Sequence, residues 1–326
     1  MLGETYVTKL RDRATTLLAR RRYLTKSLSF RAFVALDRLR LHVLPKHFYT
    51  PVPDYTWLKR NMDTWTHPLP VGDLTEWDLD AQLGWLREVC EGYYDEVAGL
   101  RTFADLGASN VGPGFGPIES QVLHCVVRAR RPRRILEIGS GLSTACMLNA
   151  IELNARDGGE RSEVVCIEPY PKPAFRDLPG LRHIEELCQT VDGNVFEQLE
   201  SGDMLFVDSS HSVKIGSDVV RIYLDVIPRL RPGVLVHVHD VNLPYAYPRD
   251  ALSAFWASQE TALLLALLAG NRSLRVSACC SALHYGRREA LREVLPDYQP
   301  AEDRAGLPRR PGGAGHFPSS IWLETV

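Results

Sequence analysis

Glu137 sits inside the apolar run RILEI, two residues ahead of a small-residue turn, GSGLS, that holds Gly139 and Gly141. A carboxylate in such a run is costly unless a partner holds it. The two glycines permit a tight turn and close backbone approach, and a helix starting near Leu142 would offer free N–H groups to a ligand. Three further apolar runs also stop at residues with chemical capacity. EVVCI stops at Glu168 and Pro169, DMLFV at Asp208, Ser209 and His211, and GVLVHV at His239, Asp240 and Asn242. An acid at the tip of the second run is placed to hold the two hydroxyls of a ribose. Carboxylates beside imidazoles can work as a general base, or can ligate a divalent ion.

Such tips form one site only if the runs are parallel neighbours. Seven short β-rich runs occur from Arg133 onward, the last being SIWLETV at the C-terminus. Helical patterns separate most of them, over 142–155, about 192–200, 213–230 and 249–270. Strands alternating with helices predict a mostly parallel sheet covered on both faces, with ligands beyond the carboxyl ends of its strands. The expected fold is therefore α/β, a Rossmann-like doubly wound, seven-stranded sheet. Its C-terminal strand follows a Pro/Gly-rich loop (296–318) with no crossover helix, and is expected to insert antiparallel. Ahead of the sheet lie one or two basic amphipathic helices within residues 1–47, a helical stretch over 79–100, and a Gly/Pro-rich loop leading to a helix from about Pro117. Residues 1–105 are read as an N-terminal helical section and cap, and 106–326 as the ligand-binding domain.

Composition narrows the class. With 45% apolar and 24% charged residues and a net charge of −2, the chain is not a basic nucleic-acid binder. Residues 1–47 nevertheless carry eleven Lys/Arg against three acids, a basic segment facing an acidic remainder. It is expected to pack on that remainder or on a second subunit as a homo-oligomer. The seven cysteines form no CxxC pair and mostly sit in apolar runs, which predicts buried, reduced thiols and a cytoplasmic protein. No signal-peptide core is seen, and ALLLALLAG (262–270) is too short to span a bilayer.

EIGSGLS resembles the first motif of class I S-adenosylmethionine-dependent methyltransferases, and Glu168 resembles that family's ribose-binding acid. A dinucleotide oxidoreductase would want G-x-G-x-x-G, but Thr144 occupies the sixth position. HFYTPVPD, DSSHSVKIGSDV, HVHDVNLPYAYP and SIWL, in that order, are similar to a bacterial small-molecule group within the family, of secondary-metabolism type. The resemblance implies that Glu137, Gly139, Ser140, Gly141, Ser143, Glu168, Pro169, Asp208, Ser209 and His211 hold S-adenosylmethionine. It implies transfer to a small-molecule acceptor, most simply O-methylation of a natural-product or sugar hydroxyl. N- or C-methylation, a non-methyl reaction, or a non-catalytic cofactor-binding partner are the alternatives.

A hydroxyl nucleophile needs a base or a metal to lower its pKa. Asp208, His211 and His239 are the catalytic candidates. Asp208, His239 and Asp240 are the candidate ligands for magnesium, manganese, iron or zinc; related metal-dependent O-methyltransferases place acids at these two strand ends, and His239 departs from that pattern. A histidine base predicts activity rising near about pH 6–7. His237, deeper on the same strand, reads as a satisfied core histidine. His47, Tyr49, Asp54, Tyr245 and Tyr247 are candidate acceptor contacts, and Phe115 and Glu119 stand where this fold often touches the cofactor.

Overall fold

A computed structural model of the chain describes residues 30–44, 46, 49–100, 104, 114–176, 178–254, 258–310 and 313–326. Two compact units emerge, Met1–Thr56 and Trp57–Val326. In the first, residues 30–37 are helical; the remaining expectation of N-terminal helices falls on 1–29, outside the described residues.

The second unit is built on a seven-stranded sheet of order β3-β2-β1-β4-β5-β9-β6. Its strands are β1 (Arg134–Ile138), β2 (Glu163–Ile167), β3 (Leu181–Ile184), β4 (Met204–Val207), β5 (Leu235–His239), β6 (Leu274–Cys279) and β9 (Ser320–Thr325). β9 runs antiparallel to β5 and β6, while the others pair in parallel from β3 through β5. All seven expected strands are present, with the terminal one inserted as its connection required.

Each strand alternates between two faces, and both are covered. Ile135, Phe206 and Trp322 enter one apolar core with helices α1 (Leu79–Cys90), α2 (Pro117–Arg130) and α3 (Leu142–Arg156). Leu136, Ile138, Val236 and Val238 enter the other, with the helical stretch after Asp218 and α4 (Glu260–Leu268). Asp78 caps α1 by accepting from the Asp80 and Ala81 N–H groups, and Pro117 occupies the first position of α2, where a missing N–H costs nothing. All seven cysteines are free and buried.

Several helices are shorter than their sequence patterns. The stretch 79–100 breaks after α1, where Gly92 takes φ +85°. The stretch 192–200 yields only Asn194–Glu197. The stretch 213–230 is helical only from Asp218, after Ser217 caps the Val220 N–H, and it widens into a π turn over Ile222–Val226. Among the described residues of 249–270 only α4 is an α-helix, and just ahead of it the Gln259 N–H donates to the His211 carbonyl. The C-terminal loop holds a small hairpin, β7 (Asp303–Arg304) and β8 (Leu307–Pro308). Among the described residues no helix is long and apolar enough to cross a membrane.

Candidate active site

One row of side chains crosses the sheet on the α3 face. Strand register places Cys166, Glu137, Phe206, His237 and Trp322 side by side. Glu137 is fully buried in this row, directly under the start of α3. Its oxygens accept from Ser143 Oγ at 2.5 Å, Thr144 Oγ1 at 2.6 Å and Cys166 Sγ at 3.0 Å. Thr144 Oγ1 in turn accepts from the Gly141 N–H at 2.9 Å, so the acid fixes the glycine turn from behind. Burial pushes its pKa up to about 7, against the three hydrogen bonds that lower it. Glu137 and Ser143 are thus spent on each other and do not line the pocket in front of the turn.

That pocket has a volume of about 330 Å³ and opens at the carboxyl ends of β1, β2 and β4, among Gly139, Glu168, Pro169, Asp208, Ser209 and Ser210. Gly139 has φ +104°, and a Cβ there would stand 2.8 Å from the Asp208 carbonyl oxygen. Only glycine lets the turn lie this close to β4. Glu168 closes the far side, its Oε1 accepting from the Tyr170 N–H at 2.8 Å. A hydrophobic floor, an acid at the strand tip and a side-chain-free turn suit a nucleoside with a charged tail, so these residues fit S-adenosylmethionine. Ser140 and Gly141 continue the turn at the N-terminus of α3.

Beside this pocket the tips of β4 and β5 bring charged groups together. His211 Nε2 lies 3.4 Å from Asp208 Oδ1 and 3.4 Å from Asp240 Oδ2. Its Nδ1 lies 2.6 Å from Oε2 of Glu260, whose side chain is wholly buried. The other Glu260 oxygen accepts from Ser209 Oγ at 2.9 Å, and Ser209 Oγ accepts from the His211 N–H at 3.1 Å. Burial alone would lower the His211 pKa, but Asp208, Glu260 and Asp240 outweigh it and push the pKa up to about 11. Both His211 and Asp240 hold positive φ, 56° and 54°, a conformation that needs support from surrounding bonds.

His239 lies next to this cluster, its Nε2 3.6 Å from Asp240 Oδ1. Its Nδ1 is buried without a partner among the described residues. Burial would lower its pKa, but Asp240, Asp208 and Glu119 raise it above the ordinary value. Ser319 bridges the rim: its Oγ donates to Asp240 Oδ1 at 3.1 Å, and its N–H to Glu119 Oε1 at 2.9 Å. Glu119 is buried, and its approach to Gly116 leaves no room there for a Cβ. Phe115 packs its ring 4.9 Å from that of His239.

His237 is in the aromatic core, stacked on Phe206 at 4.2 Å and 7° and edge-on to Trp322 at 4.5 Å. Its Nδ1 has no hydrogen-bond partner among the described residues, so that side of the core histidine is left unsatisfied against the ring contacts. Burial drives its pKa well below the ordinary value.

The candidate metal set is not gathered as its sequence positions suggest. His211 Nε2 stands between Asp208 and Asp240, so a side-chain nitrogen takes the place between the two acids. Among the described residues no group of three or more His, Cys, Asp or Glu side chains is disposed to hold a metal ion. Tyr245 and Tyr247 pack on the β7–β8 hairpin: the Tyr247 hydroxyl donates to the Ala305 carbonyl at 2.6 Å, and Gly306 leaves space for the Tyr245 ring. Tyr49 and Asp54 lie in the first unit, Asp54 paired with Lys46 at 2.9 Å. His47 lies outside the described residues.

Glu260 and Ser319 join the site without having been singled out by sequence. The only signal for Glu260 is an acid opening an otherwise apolar helix, which reads equally well as a favourable charge at a helix N-terminus.

Residues 136–241 match a family model described as a methyltransferase domain. An uncharacterized protein of Archaeoglobus fulgidus is 27% identical over 169 residues, covering 48% of this chain and 73% of that protein. Among solved structures, the O-methyltransferase from Bacillus cereus in complex with SAH is 14% identical with a TM-score of 0.40, over 69% of this chain and 89% of that one. An SAH-bound methyltransferase of Podospora anserina is 19% identical with a TM-score of 0.34, over 72% and 93%. The matched domain lies over β1 to β5, the part of the sheet that carries the glycine turn, Glu168 and the His211 cluster. Over residues 136–241 the chain thus carries a methyltransferase domain, with the strand order and pocket that its resemblance to class I S-adenosylmethionine-dependent methyltransferases implies.

Proposed function

We propose that this methyltransferase acts on a hydroxyl of a small-molecule acceptor, with His211 taking the acceptor's proton. The observation that carries the reading is the His211 ring itself, anchored through Nδ1 on buried Glu260 and facing Asp208 and Asp240 through Nε2, beside the cofactor pocket. S-adenosylmethionine supplies, when bound, a sulfonium methyl group open to in-line attack by an oxygen nucleophile.

Gly139 and the start of α3 receive the amino-acid end of the cofactor, and Glu168 the ribose. Asp208 stands at the junction of the two halves of the site. An acceptor hydroxyl placed against Nε2 gives up its proton to His211 as the oxygen becomes nucleophilic. The imidazolium so formed is stabilised by Glu260, Asp208 and Asp240, which lowers the cost of the transfer. The same stabilisation keeps nearly all of the His211 ring protonated in the free enzyme at neutral pH, so the reactive form is a small fraction there and grows as pH rises. Holding the ring from both nitrogens fixes its direction before the acceptor arrives.

The reading is tested by methyl transfer from labelled cofactor to a panel of phenols, sugars and hydroxy acids, with and without exhaustive chelation. Transfer to an oxygen that survives chelation is expected. Activity lost on chelation and restored by one divalent ion would give the proton-lowering role to a metal, and transfer to nitrogen alone would overturn the hydroxyl reading.

A further inference from the structure

Arg249 lies in the loop after β5, five residues after Pro244 of the cis Leu243–Pro244 bond. Its side chain is only 18% exposed. Its guanidinium carbon sits 4.5 Å over the Phe317 ring, which holds the group flat. Nε and Nη2 are both buried, and neither has a hydrogen-bond acceptor among the described residues. The nearest acid, Asp303, keeps its Oδ2 3.8 Å from Nη2, beyond hydrogen-bond length, and shares that oxygen with His284 Nε2 at 3.6 Å. Buried charged donors left without an acceptor are expensive, so an anion held close to this guanidinium would offset a charge that the fold leaves poorly compensated.

Arg249 forms one wall of an open cavity of about 880 Å³. Arg304, Arg309 and Arg310 from the hairpin and the segment after it line the rest, with apolar Met62 and Leu252, and no described acidic side chain lines it. Arg309 has Glu302 at 3.4 Å, both side chains being exposed. Arg304 and Arg310 have no ion-pair partner among the described residues. The reactive cluster differs in kind, since Asp208, Asp240 and Glu260 converge there. The two places are joined through the chain: Phe317, under the Arg249 guanidinium, stands two residues before Ser319, whose hydroxyl donates to Asp240 Oδ1 at 3.1 Å. The loop therefore runs from a carboxylate-rich centre to an arginine-lined cavity.

We infer that the acceptor is an acidic small molecule, whose carboxylate or phosphate binds Arg249 and the hairpin arginines while its hydroxyl faces His211. The inference rests on the hydroxyl-methylation reading above and names the class of its substrate. An anion directed at the cluster would be repelled by three carboxylates, whereas the arginine cavity offers planar, paired donors that match carboxylate and phosphate oxygens. The charge split orients the acceptor in the same way that the pocket orients the cofactor.

The test uses the full chain saturated with S-adenosylhomocysteine, titrated calorimetrically with inorganic phosphate and with acetate at matched chloride ionic strength. At least one anion is expected to bind saturably, and Arg249→Gln is expected to weaken it about tenfold or more, the loss of one charge-assisted hydrogen bond. The exposed pair Arg304→Gln/Arg310→Gln is expected to weaken it several-fold and decides the matter if Arg249→Gln does not fold. Glucuronate and glucose 6-phosphate then separate a carboxylate acceptor from a phosphate one by which outcompetes the simple anion. Saturation by neither anion, or equal affinity in the variants, would overturn the inference. Failure of S-adenosylhomocysteine itself to bind would instead bring down the methyltransferase reading on which the inference stands.

Discussion

Glu137 and Glu260 are both completely buried, and they are held in opposite ways. Glu137 meets only neutral donors, two hydroxyls and a thiol, and burial pushes its pKa up to about 7. Glu260 meets a hydroxyl and an imidazole ring 2.6 Å away, and that ring's pKa is pushed up to about 11. In the first case nothing positive offsets the lost hydration of the carboxylate, so the acid serves as a neutral-leaning peg for the glycine turn. In the second, one buried charge stabilises its opposite, and the partner faces the reacting atoms. The carboxylate behind the cofactor turn shapes a surface, whereas the one behind His211 sets the charge of a reactive group.

The comparison breaks most visibly at His211. His211→Ala should lower methyl transfer by about 10²–10⁴-fold, the usual cost of a lost general base. Affinity for S-adenosylhomocysteine should change little, because the ring lies beside the pocket and not on its wall. Turnover measured alongside calorimetric affinity separates the two; equal losses in both would erase the boundary between binding and chemistry.

Glu168→Ala should do the reverse. Loss of its contacts to the ribose should cost about 2–4 kcal/mol in cofactor affinity, whereas turnover at saturating cofactor should hold. An affinity within twofold of the parent would remove Glu168 from the site.

Glu137 gives a stability test. Its folded pKa lies above its unfolded value of 4.5, so the neutral form is favoured in the native state. Its contribution is present in full below that value and is lost as pH rises through about 7, a change of about 3 kcal/mol for this shift. Glu137→Gln, which cannot ionise, should flatten the stability profile by that amount across this window. Parallel denaturation profiles for the two proteins would show that folding leaves the acid's pKa unshifted.

Glu260→Gln should be milder than loss of His211, about 10–100-fold in turnover, in line with changes to a group that orients another. It should also bring the rising limb of the pH–rate profile down toward the ordinary histidine range. An unchanged limb would mean that Glu260 only packs.

The sequence disclosed one half of this contrast more clearly than the other. Glu137, Gly139 and Glu168 stand within or next to strands, where apolar runs and glycines mark their positions directly. The seven strands were legible for the same reason. Glu260 was hidden because its partner lies 49 residues away and because an acid at a helix start has an ordinary local explanation. Ser319 was hidden as a small polar residue in a Pro/Gly-rich loop. The β7–β8 hairpin has strands of two residues, too short for alternation to register. The pH expectation also moved: neighbouring residues suggested a histidine titrating near about 6–7, but three carboxylates around one ring lift it far above that. Charge gathered from Asp208, Asp240 and Glu260 is a property of the fold, not of any one stretch of chain.

The most direct test of the central claim is an NMR titration of the His211 ring, assigned with His211→Asn, in the parent chain and in Glu260→Gln. The ring is expected to remain protonated well above pH 8 in the parent and to lose its proton at clearly lower pH in the variant. A ring that titrates near the ordinary value of 6.5 in both proteins would contradict that claim.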